Sequence, residues 1–247
     1  MITSYANFKN ANITLLTNAL IYDYDIADAG FNVIKQHNLL SNEIIEQLER
    51  MPKQIRNIQV GNLQNEIPNL KTDLTELLKA YNEEFITANR LEEKDILRIT
   101  RDSVTTVNKV CTKQMFGNIF FNKKETYNFF MEVNGIYIFY NILTDNLIIK
   151  NMGEEDIYHE AYKKFFIKIF KYLNKKDKDG LFAFLDDFVK SYRNRTLPIE
   201  YYMEFNSTPA YILDGIAYTQ LDEVQKDKVQ IEYNYMNLLR PILSMLF

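Results

Sequence analysis

Residues Asn18–Gly30 read NALIYDYDIADAG. An apolar, β-branched and aromatic run ends in two aspartates one residue apart, and a third acid and a glycine follow. Together with the residues before it, the run predicts an extended segment over 12–25. Side chains alternate along a strand, so Ala19, Ile21, Asp23 and Asp25 share one face, and Leu20, Tyr22 and Tyr24 the other. Carboxylates two residues apart then have Cα atoms about 7 Å from each other. Two such acids repel, and taking them out of water is costly. A divalent cation resolves both problems, and Mg²⁺ takes a few carboxylates while leaving room for phosphate oxygens and water.

Beyond Asp25 the spacing of Phe31, Ile34 and Leu39 predicts a helix. Ser41 reads as the N-cap of a second helix, with Glu43 and Glu46 in its opening turns, Ile44, Ile45 and Leu48 behind, and Met51-Pro52 as its end. Residues 53–69 read as a connector carrying Lys53 and Arg56. Residues 69–92 give the clearest helical face of the first half, with Leu70, Leu74, Leu77, Leu78, Tyr81, Phe85 and Ala88 on one side. Over 95–110 the pattern alternates and predicts two strands joined at Arg101-Asp102-Ser103. Arg98, Thr100 and Asp102 share one face there, while Leu97 and Ile99 point to the core. Further strands follow, with turns expected at Asn122-Lys123-Lys124, Asn134-Gly135 and Thr144-Asp145-Asn146. Helices are expected at 154–175, 179–193 and 222–246.

The 247 residues suit one large domain, or a compact core with an appended subdomain. A single cysteine, Cys111, excludes an intrachain disulfide framework and a cysteine zinc site, and fits a reducing compartment. The start MITSYANFKN lacks a basic stretch followed by an apolar one, so no signal peptide is expected. No apolar run approaches the roughly 20 residues of a membrane span. A net charge of −4 counts against a protein that coats nucleic acid non-specifically. Abundant Asn, Lys, Ile and Tyr beside 7 Gly and no Trp look like the product of an AT-rich coding sequence, as in low-GC bacteria and their phages. The expected location is the cytoplasm, that of a bacterial host if the chain is phage-encoded.

Two of these stretches resemble the palm domains of polymerases. Residues Ile21–Phe31, IYDYDIADAGF, are similar to motif A, a strand ending in a metal-binding Asp that turns into a helix. Residues Ile96–Val107, ILRITRDSVTTV, are similar to motif C, a β-hairpin with the second catalytic Asp at its tip. Asp102-Ser103 resembles the His-Asp-Ser tip of single-subunit phage RNA polymerases, with Arg101 where the His stands. Gly30 falls five residues after Asp25, where those RNA polymerases carry Gly and many DNA polymerases a bulky residue that excludes ribose. The resemblance covers about residues 17–108 and departs from the family in lacking a clear motif B, the basic helix that grips the nucleotide.

The resemblance implies an α+β fold: an antiparallel palm-like sheet backed by helices, with a helical C-terminal part. The expected division is a palm-like domain with a hairpin insert over 1–152 and a thumb-like helical subdomain over 153–247. It implies a Mg²⁺- or Mn²⁺-dependent nucleotidyltransferase, a small polymerase or primase-like enzyme working on nucleic acid and nucleoside triphosphates. Asp25 and Asp102 would be catalytic and, with Asp23, hold the metals. Lys53, Arg56, Arg98, Gly30 and Ser103 are the candidates for nucleotide contact. Lys164, Lys168, Lys171 and Lys175 form a basic stripe at helical spacing, a candidate nucleic-acid contact.

Each signal has a plainer counterpart. A paired aspartate after an apolar strand also opens haloacid-dehalogenase phosphatases and many glycosyltransferases, although Ala27 stands where the phosphatases want Thr or Val. Hairpin tips favour Asp for turn reasons alone, and a lysine stripe is often only a solvated face. His37 and His159 lack ligand spacing. The rival class is a non-catalytic interaction protein, a phage inhibitor or polymerase accessory subunit, for which a partner protein is expected. The enzyme requires the Asp25 and Asp102 carboxylates to converge within about 4–5 Å, and the interaction protein an exposed apolar patch.

Overall fold

The computed structural model describes residue 2 and residues 4–151, 157–202, 211–213, 216–218 and 238–247. Its strands are β1 (Phe8–Lys9), β2 (Leu15–Leu16), β3 (Ile21–Ile26), β4 (Ile96–Ile99), β5 (Ser103–Val107), β6 (Met115–Phe116), β7 (Ile119–Tyr127), β8 (Phe129–Val133), β9 (Ile136–Asn141), β10 (Asn146–Lys150), β11 (Tyr211–Leu213) and β12 (Ile216–Tyr218). Its helices are α1 (Ala29–His37), α2 (Asn42–Glu49), α3 (Lys53–Glu66), α4 (Leu70–Ala88), α5 (Ile157–Lys175), α6 (Lys178–Arg193) and α7 (Arg240–Leu246). The class is α+β, with antiparallel sheets backed by helices and a helical C-terminal part, as the sequence leads one to expect. No helix among the described residues is long and apolar enough to cross a membrane.

The chain forms two compact units. Unit 1 holds Met1–Ile13 and Leu20–Thr126, and its six-stranded sheet runs β1-β4-β5-β3-β7-β6. β3 and β4 are each antiparallel to β5, so they are parallel to one another with β5 between them. The helices α1–α4 make the connection from β3 to β4, a split βαβ arrangement. Tyr24, Ile26, Ile99 and Val104 turn to one face and pack with Phe31, Leu74 and Phe85 of those helices.

The register of β3 on β5 is fixed at both ends. At one, the Ile26 amide donates to the Asp102 carbonyl at 2.8 Å. At the other, Asn108 takes a left-handed φ of 55°, its amide donates to the Leu20 carbonyl at 2.6 Å, and its Oδ1 accepts the Leu20 amide at 2.9 Å. The β4–β5 turn is held from beneath by α4. Asn82, fully buried on that helix, donates through Nδ2 to the carbonyls of Thr100 at 2.9 Å, Arg101 at 3.3 Å and Tyr5 at 2.7 Å.

Unit 2 holds Thr14–Ala19 and Tyr127–Phe247, with a sheet ordered β10-β9-β8-β2 and a short β11–β12 pair. Alternate residues Phe129, Met131, Ile138, Tyr140 and Leu147 form one core with Phe166, Ile169 and Phe170 of α5, Leu185 of α6 and Ile242 of α7. Because these strands bury their face against the C-terminal helices, they belong with them. The division falls after Thr126 rather than at the expected 152/153.

Three local expectations are corrected. The single extended segment over 12–25 is two strands, because Asn18 turns the chain at φ 55° and sends β2 and β3 to different sheets. The connector over 53–69 is the helix α3; it buries only Val60, so no apolar stripe announced it. Asn122-Lys123-Lys124 is not a turn but the polar middle of β7, where Lys123 lies 5.6 Å over the Tyr22 ring and Lys124 reaches Asp25. The Asn134-Gly135 turn joins β8 to β9 as expected. Residues 154–156 and 222–237 of the expected helices lie outside the described residues, as does the His159 side chain.

Asn82→Ala removes the donor from all three carbonyls around the turn. It is expected to cost about 2–3 kcal/mol, read as a lower urea midpoint with an unchanged slope.

Candidate functional site

Asp25 is the penultimate residue of β3 and pairs in register with Ser103, the first residue of β5. That pairing brings the β4–β5 turn, and Asp102 on it, beside the end of β3. Both acids line one cleft of about 340 Å³ in unit 1. Its other walls come from the β3–α1 corner with Asp28 and Gly30, from Arg101 on the turn, from Lys124 on β7 and from α3. Lys53, Asn57, Val60 and Gln64 form the α3 wall; their spacing of four, three and four residues places them on one side of the helix.

The charges in this cleft are coupled. Burial is the largest influence on Asp25 and raises its pKa above the ordinary 3.8. The hydrogen bond and charge of Lys124 oppose that rise, while the charges of Asp102 and Asp23 add to it. Lys124 Nζ lies 2.5 Å from Asp25 Oδ2, and this bond is the main reason its own pKa rises. Arg101 donates to Gln64 Oε1 at 3.0 Å across the cleft. Among the described residues, no three His, Cys, Asp or Glu side chains group closely enough to hold a metal ion by themselves.

The other sequence candidates fall in different places. Asp23 lies behind the cleft, 7% exposed, and accepts the Thr105 hydroxyl at 2.9 Å. Arg98 pairs in register with that same Thr105, on a row of the sheet outside the cleft lining. Ser103 is buried with its hydroxyl 2.6 Å from that of Thr100. The Arg56 guanidinium bonds the Asp28 carboxylate and stacks 4.5 Å from the Phe31 centroid, so it clamps α3 to the β3–α1 corner. Lys53 and Gly30 do line the cleft. A Cβ on Gly30 would lie 2.9 Å from Val60 Cγ1, so close packing of α1 on α3 also requires glycine here. Lys164, Lys168, Lys171 and Lys175 are all exposed on α5 in unit 2, and Lys171 pairs with Asp145 at 3.0 Å.

Sequence reasoning missed Lys124, Arg101, Asn57 and Gln64 as cleft residues. Nothing local marks Lys124, because its role comes from the pairing of β7 beside β3. Cys111 and His37 are not among the residues that line the cleft. Burial pushes the Cys111 thiol up to about 12. His37 Nε2 hydrogen bonds with the Tyr81 hydroxyl at 2.7 Å.

Two outcomes are expected. A carboxylate whose pKa is raised on folding opposes stability once it ionises, from about pH 3.8 upward. Asp25→Asn is therefore expected to be more stable than wild type at neutral pH, with the gain gone below that pH, as followed by thermal melts across pH. Gly30→Ala is expected to cost about 1–3 kcal/mol, and adding Val60→Ala to recover part of it, as a double-mutant cycle reads.

A search of curated proteins finds no match for the chain. A family model described as Bacteriophage PBS1 gene 130 protein matches residues 2–246. A match over nearly the whole length places the chain among phage proteins: it belongs to the Bacteriophage PBS1 gene 130 protein family.

Proposed function

We propose that the unit 1 cleft is the active site of a Mg²⁺-dependent nucleotidyltransferase of palm type, small-polymerase or primase-like, acting in the cytoplasm of the phage's host. The observation that carries this reading is the meeting of Asp25, from a strand end, and Asp102, from a hairpin turn, in one cleft that also holds Lys53, Arg101 and Lys124. The strand order around β3 supports it, since split βαβ connectivity with β3 paired to β5 puts both acids at the same end of one sheet.

The donor set suits a hard cation. Two carboxylates with open space beside them match the preference of Mg²⁺ for few protein oxygens, with water and phosphate completing its shell. Asp25 and Asp102 would hold it, with Asp23 adding negative charge from behind. When bound, Mg²⁺ supplies charge neutralisation at the attacking and leaving oxygens of phosphoryl transfer. The chain's own residues do the rest. Lys53, Arg101 and Lys124 counter the charge of a triphosphate. Lys124 holds the Asp25 charge in the free cleft, and its flexible stem lets it turn to a phosphate. Asn57 and Gln64 offer amide donors and acceptors from α3. Gly30 lies on the cleft wall, with Val60 filling the place of a side chain.

A second reading has its own observation. Ile55 and Ile58, three residues apart on α3, are 55% and 65% exposed. They favour a protein partner, as an inhibitor or a polymerase accessory subunit would have.

The test is extension of a labelled primer, with and without template, in Mg²⁺ or Mn²⁺, with NTPs and dNTPs offered separately. Product from wild type is expected, and Asp25→Asn or Asp102→Asn is expected to lower it at least about a hundredfold. No product with either metal and either nucleotide set overturns the enzyme reading and leaves the partner reading.

A further inference from the structure

Unit 2 carries a cavity of its own, of about 380 Å³, between α5, α6 and the 3-10 turn Ile199–Tyr202. Phe165, Phe184, Phe188 and Tyr201 line it. Phe165 is 4.4 Å from Phe188 and 5.8 Å from Phe184 between ring centroids, and Phe188 is 5.2 Å from Tyr201. Three aromatic side chains of α5 and α6 and one of the turn therefore form a continuous ring-lined wall. Phe184 and Tyr201 are only partly buried, so this wall is open to a ligand. The volume is near the lower end of the range for small-ligand sites.

The edge of the cavity is basic. Lys164 and Lys168 line it, and Lys168 Nζ lies 5.2 Å from the Phe184 centroid. These lysines begin the exposed row that continues through Lys171 and Lys175, about 16 Å along the helix at 1.5 Å per residue. Asp187 also lines the cavity, and Asp145 pairs with Lys171. The Lys171–Asp145 side chains are 49% and 60% exposed, and a pair that exposed holds its lysine weakly against a phosphate. A row of cations ending at aromatic faces is what a sequence-tolerant site for single strands requires. The cations follow the backbone, and a base freed from its neighbours stacks on a ring. A duplex offers the phosphates but keeps its bases paired.

We propose that this face of unit 2 binds single-stranded nucleic acid, with Lys164, Lys168, Lys171 and Lys175 along the backbone and one unstacked base in the cavity against Phe184 and Tyr201. The inference rests on nucleic acid being a partner of this chain, as in the proposed function, and not on catalysis in unit 1.

The test is fluorescence anisotropy of the full chain with a labelled oligothymidylate, in EDTA, against a duplex of the same length. Single strand is expected to bind about tenfold tighter than duplex. Phe184→Leu, which keeps the apolar bulk and removes the ring, is expected to weaken single-strand binding about tenfold, within the range for one stacked base. The exposed double substitution Lys164→Gln and Lys168→Gln, which leaves the core intact, is expected to flatten the salt dependence by about 1.4 in log–log slope. Equal binding of duplex and single strand, a silent Phe184→Leu with an unchanged salt slope, or a cavity that takes an amphipathic fatty acid while the chain ignores oligonucleotides, each overturns the inference. Primer extension by a chain that fails this test leaves the cleft reading standing. Single-strand binding by a chain that extends no primer supports the inference while the cleft reading falls.

Discussion

An ionised carboxylate at the buried end of β3 is unfavourable, and much of unit 1 is arranged around that fact. Asp25 has Asp23 behind it and Asp102 beside it, and both add to the difficulty of carrying charge. What answers it within the chain is Lys124. To deliver that ammonium, β7 must lie next to β3, and its polar middle must remain strand rather than turn. The helices on the other face supply the apolar contacts that hold β3 in place, with Tyr24 against Phe85 at 5.3 Å.

Much of the fold could be read from the sequence because the relevant signals are local. The alternation in Ile96–Val107 and the polar break at Arg101-Asp102 give a hairpin directly. The one-sided apolar face of α4 gives a helix, although it ends at Ala88, short of 92, where Asn89 caps it and Arg90 turns left-handed at φ 51°. The α3 helix was illegible because it buries only Val60, lines the cleft with Lys53, Asn57 and Gln64, and leaves Ile55 and Ile58 exposed, so its apolar residues mark no single face. The unit boundary was illegible because β8–β10 look like an insertion when read in order. Only their packing on α5 and α6 shows where they belong.

The candidate site divides in the same way. Asp25 and Asp102 stand at places the local pattern defines, a strand end and a turn, and the cleft contains both. Arg56 carries the right charge for a phosphate, yet Asp28 and Phe31 take it for structure. Lys124 was hidden because its partner is about a hundred residues away in sequence, and only sheet order brings the two together. The chemistry of the two units also differs in kind. Unit 1 gathers opposite charges in a cleft, whereas unit 2 sets a row of four lysines, with Asp187 and Asp145 near it, beside aromatic rings. A chain of net charge −4 can therefore still present a basic face.

The two ends of the β3–β5 pairing have a consequence for how this chain avoids error. The Asn108–Leu20 bonds at one end and the Ile26–Asp102 bond at the other act as two stops on a ruler. A slip of one residue would break both stops together and turn every β3 side chain to the opposite face, carrying Asp25 into the helix-packed core and Tyr24 out of it. Glycine at 108 would accept the left-handed φ more easily than asparagine, but it would forfeit the side-chain bond to Leu20. In a chain with only 7 glycines, the asparagine both turns the backbone and sets its phase. The alignment of the two acids thus depends on an amide at the far end of the strand from them.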